Sequence, residues 1–217
     1  MKTLPKSAFG SPDRASVSAA ALLALASALA LALVTLALST TPAQATERNG
    51  ATTPVSGGKT LLKLDGGTAA ALSDAGVEVE ATGKAVGPTG KAVFRFPIVG
   101  GKVDKDPLGG QIVHSGGLAF SAGSERVKVR RFVIDLDRGV LTAEVAGAGQ
   151  RIALLRLGSP EGGTKVGSEV LVLRDVDARL TGRAAAALNA AFDTDLFEAG
   201  LPIGEATVDA QIGDDDE

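Results

Sequence analysis

The sequence predicts a mainly β protein, an antiparallel two-sheet β-sandwich with one short Ala-rich helix near the C-terminal end. Apolar and polar residues alternate over many short segments, as they do in half-buried antiparallel strands. Gly-rich breaks separate these segments, and only one segment has a convincing helical pattern. About nine short strands in one chain are typical of a sandwich, and an open barrel is the alternative.

The strongest alternation lies in the segment Phe94–Val145, which holds four of the chain's seven Phe residues. We therefore expect this segment to supply most of the core. Its first strand is predicted at Val93–Val99, with Phe94, Phe96 and Ile98 on one face. Pro97 within this strand indicates an edge position or a bulge, because proline cannot donate a hydrogen bond to a neighbouring strand.

The other predicted strands follow the same pattern of short alternating runs bounded by turn residues. They are Thr60–Asp65, Val77–Thr82, Gln111–Ser115, Leu118–Ser121, Arg126–Asp137, Val140–Ala146, Arg151–Leu157, Glu169–Leu180 and Ile203–Ile212. Ala69–Ser73 is predicted as one or two helical turns with Thr68 as a possible N-cap. Gly100–Gly110 is predicted to turn the chain between two strands.

Two segments carry more specific predictions. In Arg126–Asp137 the apolar residues change phase, since Val127 and Val129 alternate on one face and Phe132 and Ile134 on the other. A regular strand cannot bury both sets on one side, so we expect a bulge near Arg130-Arg131. Thr181–Phe192 is Ala-rich and predicts the helix.

The first 45 residues are predicted to be a secretory signal peptide. Basic residues precede the uncharged apolar run Ala19–Leu38, and Ala43-Gln44-Ala45 supplies a small-x-small cleavage pattern. We expect a mature chain from about Thr46 that is secreted or associated with the cell wall, with no membrane insertion after cleavage. An uncleaved membrane anchor is the alternative, because the apolar run is about long enough to span a bilayer.

The rest of the chain is predicted to contain a flexible lead-in at residues 46–59, a single β-rich domain at 60–213 and an acidic tail at 214–217. The whole chain has a net charge of −3 at pH 7. Four negative charges lie in the tail, so the folded body is nearly neutral. This charge distribution argues against nucleic acid as a partner, because nucleic acid needs a basic surface.

His114 is the chain's only imidazole, and Cys, Tyr and Trp are absent. It lies at a predicted strand end beside Gly116-Gly117, where it could ligate a metal ion or haem iron, or act as a base. A single histidine at a strand end is more often a solvated or hydrogen-bonded structural residue. We therefore keep His114 as a candidate haem ligand and favour the structural interpretation.

Pairs of aspartates recur along the chain, and Asp104 and Asp106 form the most loop-like pair. Spaced carboxylates near glycine can ligate calcium, although aspartate is also an ordinary turn residue. Paired carboxylates could also serve a glycoside hydrolase, but the chain has no Trp or Tyr on which a sugar could stack. The sequence therefore favours a non-enzymatic protein, with Asp104 and Asp106 as calcium candidates.

The segment Phe94–Val145 resembles the HtaA-type domain of secreted and cell-wall proteins of actinobacteria. The matching stretches are Phe94-Arg-Phe96-Pro97, Gly101-x-x-Asp104, Gly110-x-Ile112, Gly116–Phe120, Phe132–Asp135 and Gly139-Val-Leu141-Thr-Ala143. The resemblance implies a β-rich fold and an envelope location. It also implies haem as a possible cofactor, since haem-binding members use a Tyr ligand with a nearby His. The family His matches Gly123-Ser124 here, and the Tyr has no counterpart.

Three functional hypotheses follow from these observations. The first is an exported, non-enzymatic envelope domain that binds a small ligand or an envelope partner, or has a structural part, with no cofactor expected. The second is a haem-binding or haem-uptake protein with an atypical site near His114. The third is a hydrolase built on carboxylates.

Overall fold

The computed structural model describes residues 52–90, 92–146 and 150–213. These residues form twelve strands and two helices. The strands are β1 Thr53–Leu64, β2 Val77–Thr82, β3 Val86–Thr89, β4 Val93–Lys105, β5 Leu108–His114, β6 Gly117–Ala122, β7 Glu125–Asp135, β8 Val140–Val145, β9 Arg151–Pro160, β10 Thr164–Val166, β11 Val170–Leu180 and β12 Pro202–Ile212. The helices are α1 Gly66–Asp74 and α2 Gly182–Phe192.

Eight of the strands close into an antiparallel barrel in the order β7-β5-β4-β1-β12-β11-β9-β8, and β8 pairs back onto β7. The mainly β prediction is confirmed, but the two-sheet sandwich is wrong. The closing pair of strands matches Ile134 with Leu141 and Asp135 with Val140. Closure leaves the barrel strands without an open edge, and the inward side chains of all eight form a common interior.

Strand β7 connects β6, and through it β2, to the barrel, whereas β3 pairs with β4 and β10 pairs with β11. The first half of β7 pairs with β6, where Arg130 lies opposite Gly117, and its second half pairs with β5, where Val133 lies opposite Val113. Between these halves the register with β8 shifts, and Arg131 has a φ of 55°. The bulge predicted near Arg130-Arg131 is confirmed. The bulge lets Val129 of the first phase and Phe132 and Ile134 of the second all be buried.

Strand β1 begins at Thr53, seven residues before the predicted strand start, so the flexible lead-in is wrong for residues 53–59. The Gly-rich composition that suggested flexibility has a packing reason. Gly58 has a φ of 113°, and a Cβ atom there would lie 2.2 Å from the backbone oxygen of Asp209 on β12. Glycine at this position lets the two strands pair closely.

The predicted turn Gly100–Gly110 is also wrong for most of its length. β4 continues to Lys105 and β5 starts at Leu108, so the turn contains only two residues. Pro97 lies inside the barrel wall opposite Lys59, and the register of β4 with β5 shifts between Ile98 and Gly100. The bulge alternative for this strand is therefore confirmed, and the edge alternative is wrong.

The two helices cover one end of the barrel, because each follows a strand that ends there. β1 and β11 are both antiparallel to β12, so they run in the same direction. The prediction of a single helix is wrong, since α1 extends the expected turns to nine residues. Its N-cap is Asp65, whose side chain accepts the Thr68 N–H at 2.9 Å, so the predicted Thr68 cap is also wrong.

Thr181 caps α2 and ties it to the barrel. Its hydroxyl oxygen accepts the Ala184 N–H at 3.2 Å and its hydroxyl donates to the Ala153 carbonyl at 2.7 Å. Thr181→Ala is expected to lower the free energy of unfolding by about 1 kcal/mol, because it removes the cap. Thr181→Ser keeps the hydroxyl and should retain most of this stability. Urea denaturation of both variants checks the prediction, and equal losses would contradict it.

The predicted signal peptide at residues 1–45 and the acidic tail at 214–217 lie outside the described residues. Within residues 52–90, 92–146 and 150–213, no helix has the length and apolar character needed to cross a membrane.

Candidate functional site

The barrel encloses a cavity of about 470 Å³. Its wall consists mainly of Leu, Ile, Val and Phe side chains from the inward faces of the strands. β1 contributes Thr60, Leu62 and Leu64, whereas β7 contributes Phe132 and Ile134, and Leu136 follows directly after β7. This spacing of two residues is the direct consequence of strand alternation. Thus the pattern that predicted the strands also forms the cavity.

The two ends of the cavity differ. At the helical end, Leu72 of α1, Leu188 of α2 and Phe197 line the cavity and are buried. At the opposite end, Gly158 and Ser159 line the cavity and are exposed to solvent. These residues follow Leu157, whose N–H donates to the Gly139 carbonyl at 2.8 Å. We call this second end, formed by Gly139 and residues 157–160, the cavity mouth.

His114 lies in the wall of the cavity and is 3% exposed. The sequence correctly predicted that it ends a strand, and the structure places it in β5 opposite Ile98 of β4. Its Nε2 lies 2.7 Å from Thr60 Oγ1 and its Nδ1 lies 3.4 Å from the Phe132 carbonyl oxygen. The sequence analysis allowed a solvated or a hydrogen-bonded structural histidine. The geometry supports the hydrogen-bonded one.

The contacts of His114 determine where its proton lies. A carbonyl oxygen only accepts hydrogen bonds, so Nδ1 carries the hydrogen and points it at Phe132. In the neutral ring Nε2 then accepts the hydroxyl hydrogen of Thr60. Burial lowers the pKa of His114 from 6.5 to about 4, opposed by the hydrogen bond to the Phe132 carbonyl. The ring is therefore neutral at pH 7.

Thr60 is a site residue that the sequence analysis missed. It is 5% exposed, lines the cavity and holds the histidine. The signal was present in the alternation of Thr60, Leu62 and Leu64, which puts a hydroxyl on an otherwise apolar strand face. The residue separation of 54 between Thr60 and His114 hid the pair, because no local pattern joins them.

The cavity wall carries little charge. Its lining residues include no Lys or Arg within the described part of the chain, and Asp135 is the only acidic residue among them. Asp135 is the last residue of β7, is 8% exposed and lines the cavity. Its Oδ1 accepts the Arg138 N–H at 3.0 Å and stabilises the β7–β8 turn.

The structure does not bring Asp104 and Asp106 together with His114. Asp104 lies in β4 opposite Gly109, and Asp106 lies exposed in the turn that follows. The Oδ1 atom of Asp104 is buried without a hydrogen-bond partner. No group of three or more His, Cys, Asp or Glu residues that could hold a metal ion occurs among the residues the structure describes. Calcium binding at this pair stays a prediction.

The cavity residues do not fit haem as they are arranged. The chain has no Tyr, and the Nε2 lone pair of His114 is occupied by the Thr60 hydroxyl. The other ring nitrogen carries hydrogen and so cannot bind iron. The described lining also has no Lys or Arg to pair with the two carboxylates of haem. Ligation by His114 would require its hydrogen bond with Thr60 to break.

Comparison with solved structures identifies the fold. The C-terminal domain of HtaA from Corynebacterium glutamicum is similar at a TM-score of 0.58 and 16% identity, covering 74% of this chain and 99% of that domain. The domain-swapped dimer of its H434A variant gives a TM-score of 0.48 and 18% identity, covering 69% and 94% of the two chains.

The sequence comparisons are negative: no protein-family model matches this chain, and no curated protein matches it. At 16% identity the structural likeness is informative about the fold alone. The resemblance that the sequence suggested is confirmed at this level: the described part of the chain has the fold of the HtaA C-terminal domain.

Proposed function

We propose that this protein is an exported, non-enzymatic domain of the cell envelope that binds one small, uncharged, mainly apolar ligand inside its barrel. The observation that carries the proposal is the cavity of about 470 Å³, lined mainly by aliphatic and Phe side chains. Cavities of this size and composition are typical of sites for small molecules. Eight-stranded barrels are also wide enough to hold one small ligand.

Burial of apolar surface supplies the binding free energy in this proposal. A ligand that transfers its apolar surface from water to the cavity gains about 25 cal/mol for each Å² buried. The cavity mouth provides a route of entry, because Gly158 and Ser159 are both exposed and part of the lining. The predicted signal peptide and the HtaA-type resemblance support the envelope location.

The contacts of the cavity residues support a binding role over catalysis. Both ring nitrogens of His114 are engaged, by Thr60 and by the Phe132 carbonyl. A carboxylate hydrolase needs two acids that face each other across a cleft. The only acid in the described lining is Asp135, so no second acid of that lining faces it across the cavity.

A titration with the neutral fluorescent probe N-phenyl-1-naphthylamine tests the proposal on the segment 46–217, which contains the whole barrel. The probe should fluoresce on binding and saturate at one molecule per chain. Ala206→Phe is expected to reduce the affinity at least tenfold, because Ala206 lines the cavity and the larger side chain would occupy space that the probe needs. The measurement is the fluorescence binding isotherm, with thermal unfolding to verify that the variant folds.

The matched control is Thr207→Phe, which adds similar bulk on the outward face of the same strand, next to Ala206. This control should bind the probe like the parent protein. Absence of saturable binding in the parent, or equal binding by Ala206→Phe and the parent, would overturn the proposal.

Haem binding is the second candidate, favoured by the HtaA-type fold together with a histidine in the cavity wall. Titration with haemin, followed by the Soret absorption band, tests it in the parent and in His114→Ala. A saturable shift in the parent that is lost in the variant would support ligation by His114. No saturable shift, or the same shift in both proteins, would exclude His114 as the ligand.

A further inference from the structure

We infer that the ligand carries a hydrogen-bond donor, an alcohol O–H or an amide N–H, that binds to Thr60 Oγ1, and that carboxylates bind poorly in the same cavity. The inference rests on the proposed function and specifies the chemistry of its ligand. It depends on which groups around His114 donate and which accept.

The hydrogen bonds of the His114–Thr60 pair are fixed by elimination. Phe132 offers a carbonyl oxygen, so Nδ1 of His114 donates to it, and Nε2 is left as an acceptor. Thr60 therefore donates its single hydroxyl hydrogen to Nε2 across 2.7 Å. The Thr60 oxygen keeps its lone pairs and borders the cavity, where a ligand can reach it.

The second polar group deep in the cavity has the same character. The Thr68 hydroxyl donates to the Pro202 carbonyl, so its hydrogen is also used within the protein. Ser159 lies at the cavity mouth and is exposed to water. In the deep part of the described lining, the hydroxyl hydrogens of Thr60 and Thr68 are thus bonded within the protein, and their oxygens can still accept a hydrogen bond from a ligand.

This arrangement discriminates between classes of ligand. A ligand hydroxyl or N–H that donates to Thr60 Oγ1 replaces a hydrogen bond lost from water. A carboxylate has only acceptors, so it would leave water without finding a donor, and burying such a charge is costly. An ether has an acceptor and no donor, and so gains nothing from Thr60.

Three compounds with the same ten-carbon chain separate these effects: 1-decanol, decyl methyl ether and decanoate. Each is tested by displacement of N-phenyl-1-naphthylamine from the segment 46–217 at pH 7. We expect the alcohol to displace the probe at a concentration about twofold lower than the ether, because one net hydrogen bond of about 1 kcal/mol or more exceeds the contribution of about 0.8 kcal/mol from the additional carbon of the ether. If hydrophobicity alone determined binding, the ether would bind more tightly than the alcohol. The hydrogen bond to Thr60 and hydrophobicity therefore predict opposite orders of affinity for these two compounds.

The double variant Thr60→Val with His114→Leu removes the oxygen and the imidazole together, so that neither of the two is left without the other and only the Phe132 carbonyl loses a partner. It should bind the probe and lose the preference for the alcohol. Thr207→Val, on the outward face of β12, is the matched control and should keep the preference. If the double variant does not fold, comparison of the three compounds on the parent protein still decides the order of affinity.

The outcomes separate this inference from the proposed function. Equal displacement by all three compounds, or strongest displacement by the ether or by decanoate, would overturn the inference and leave the function intact. A preference for the alcohol that persists in the double variant would also overturn it, since the donor would then bind elsewhere. Failure of the parent to bind the probe at all would overturn the proposed function.

Discussion

Lowering the pH from 7 to 4 is expected to reduce the free energy of unfolding by about 3 kcal/mol through His114 alone. The pKa of His114 is about 4 in the folded protein, against 6.5 for an unperturbed histidine, because burial disfavours the charged ring. As the pH falls below 6.5 the unfolded chain binds a proton that the folded chain does not. The contribution of neutral His114 to stability is therefore fully present well above pH 6.5, is lost as the pH falls from 6.5 through 4, and changes no further well below pH 4.

Urea denaturation at several pH values between 4 and 7 measures this effect. Carboxylates also titrate near the lower limit, so the parent is compared with His114→Gln, which cannot take up the proton. The difference in unfolding free energy between the two proteins should shrink by about 3 kcal/mol as the pH falls from 7 to 4. Parallel curves for the two proteins would show that His114 does not carry the pH dependence.

Replacement of Gly110 by alanine is expected to reduce the free energy of unfolding by about 3 kcal/mol or more, because the change would force β4 and β5 apart. Gly110 has a φ of 94°, and a Cβ atom there would lie 2.2 Å from the Lys102 oxygen and 2.9 Å from Val103 Cα. Gly110 also donates to Asp137 Oδ2 and accepts the Leu136 N–H, each at 2.9 Å. A shift of its backbone would therefore disturb the β7–β8 turn.

Gly66→Ala is the matched control for this variant. Gly66 begins α1, and a Cβ atom there would meet no other atom within 4 Å. Its stability should change by about 1 kcal/mol or less. Thermal and urea unfolding of both variants would test the contrast. A Gly110→Ala protein as stable as the parent would refute the close approach of the two strands at that position.

The strands could be predicted from the sequence because half-buried strands impose a local pattern. Alternation of Phe94, Phe96 and Ile98 placed these residues in the core, and all three are at most 5% exposed. The phase change before Phe132 predicted the bulge at Arg131 for the same reason, since apolar residues of both sets must be buried. Each prediction needed only residues that are neighbours in the chain.

Closure of the barrel could not be predicted in this way. A sandwich and a barrel use the same alternation, and they differ in which distant strands pair. The decisive pairs are β1 with β12 and β7 with β8. Glycine was also ambiguous, because Gly58 and Gly110 looked like breaks and are instead positions where two strands approach too closely for a Cβ atom.

For the same reason, the sequence identified His114 as a candidate site residue but did not identify its hydrogen-bond partners. His114 is the chain's single histidine, which made it a candidate at once. Its chemistry depends on Thr60 and on the Phe132 carbonyl, which lie 54 and 18 residues away in the chain. The sequence therefore showed a residue that could act, whereas the fold showed that its nitrogens are occupied and that the oxygen beside it is the available group.

Because β12 lies between β1 and β11, the barrel can close only after β12 has been synthesised. β1 is the first barrel strand to be synthesised, yet one of its edges pairs with β12, where Val55 lies opposite Ile212. Until β12 is present, β1 and β11 each expose an unpaired edge, which is a site for aggregation. A nascent or truncated chain that stops before Pro202 therefore has neither a complete wall nor an enclosed interior, so the capacity to hold a ligand arises only when β12 closes the barrel.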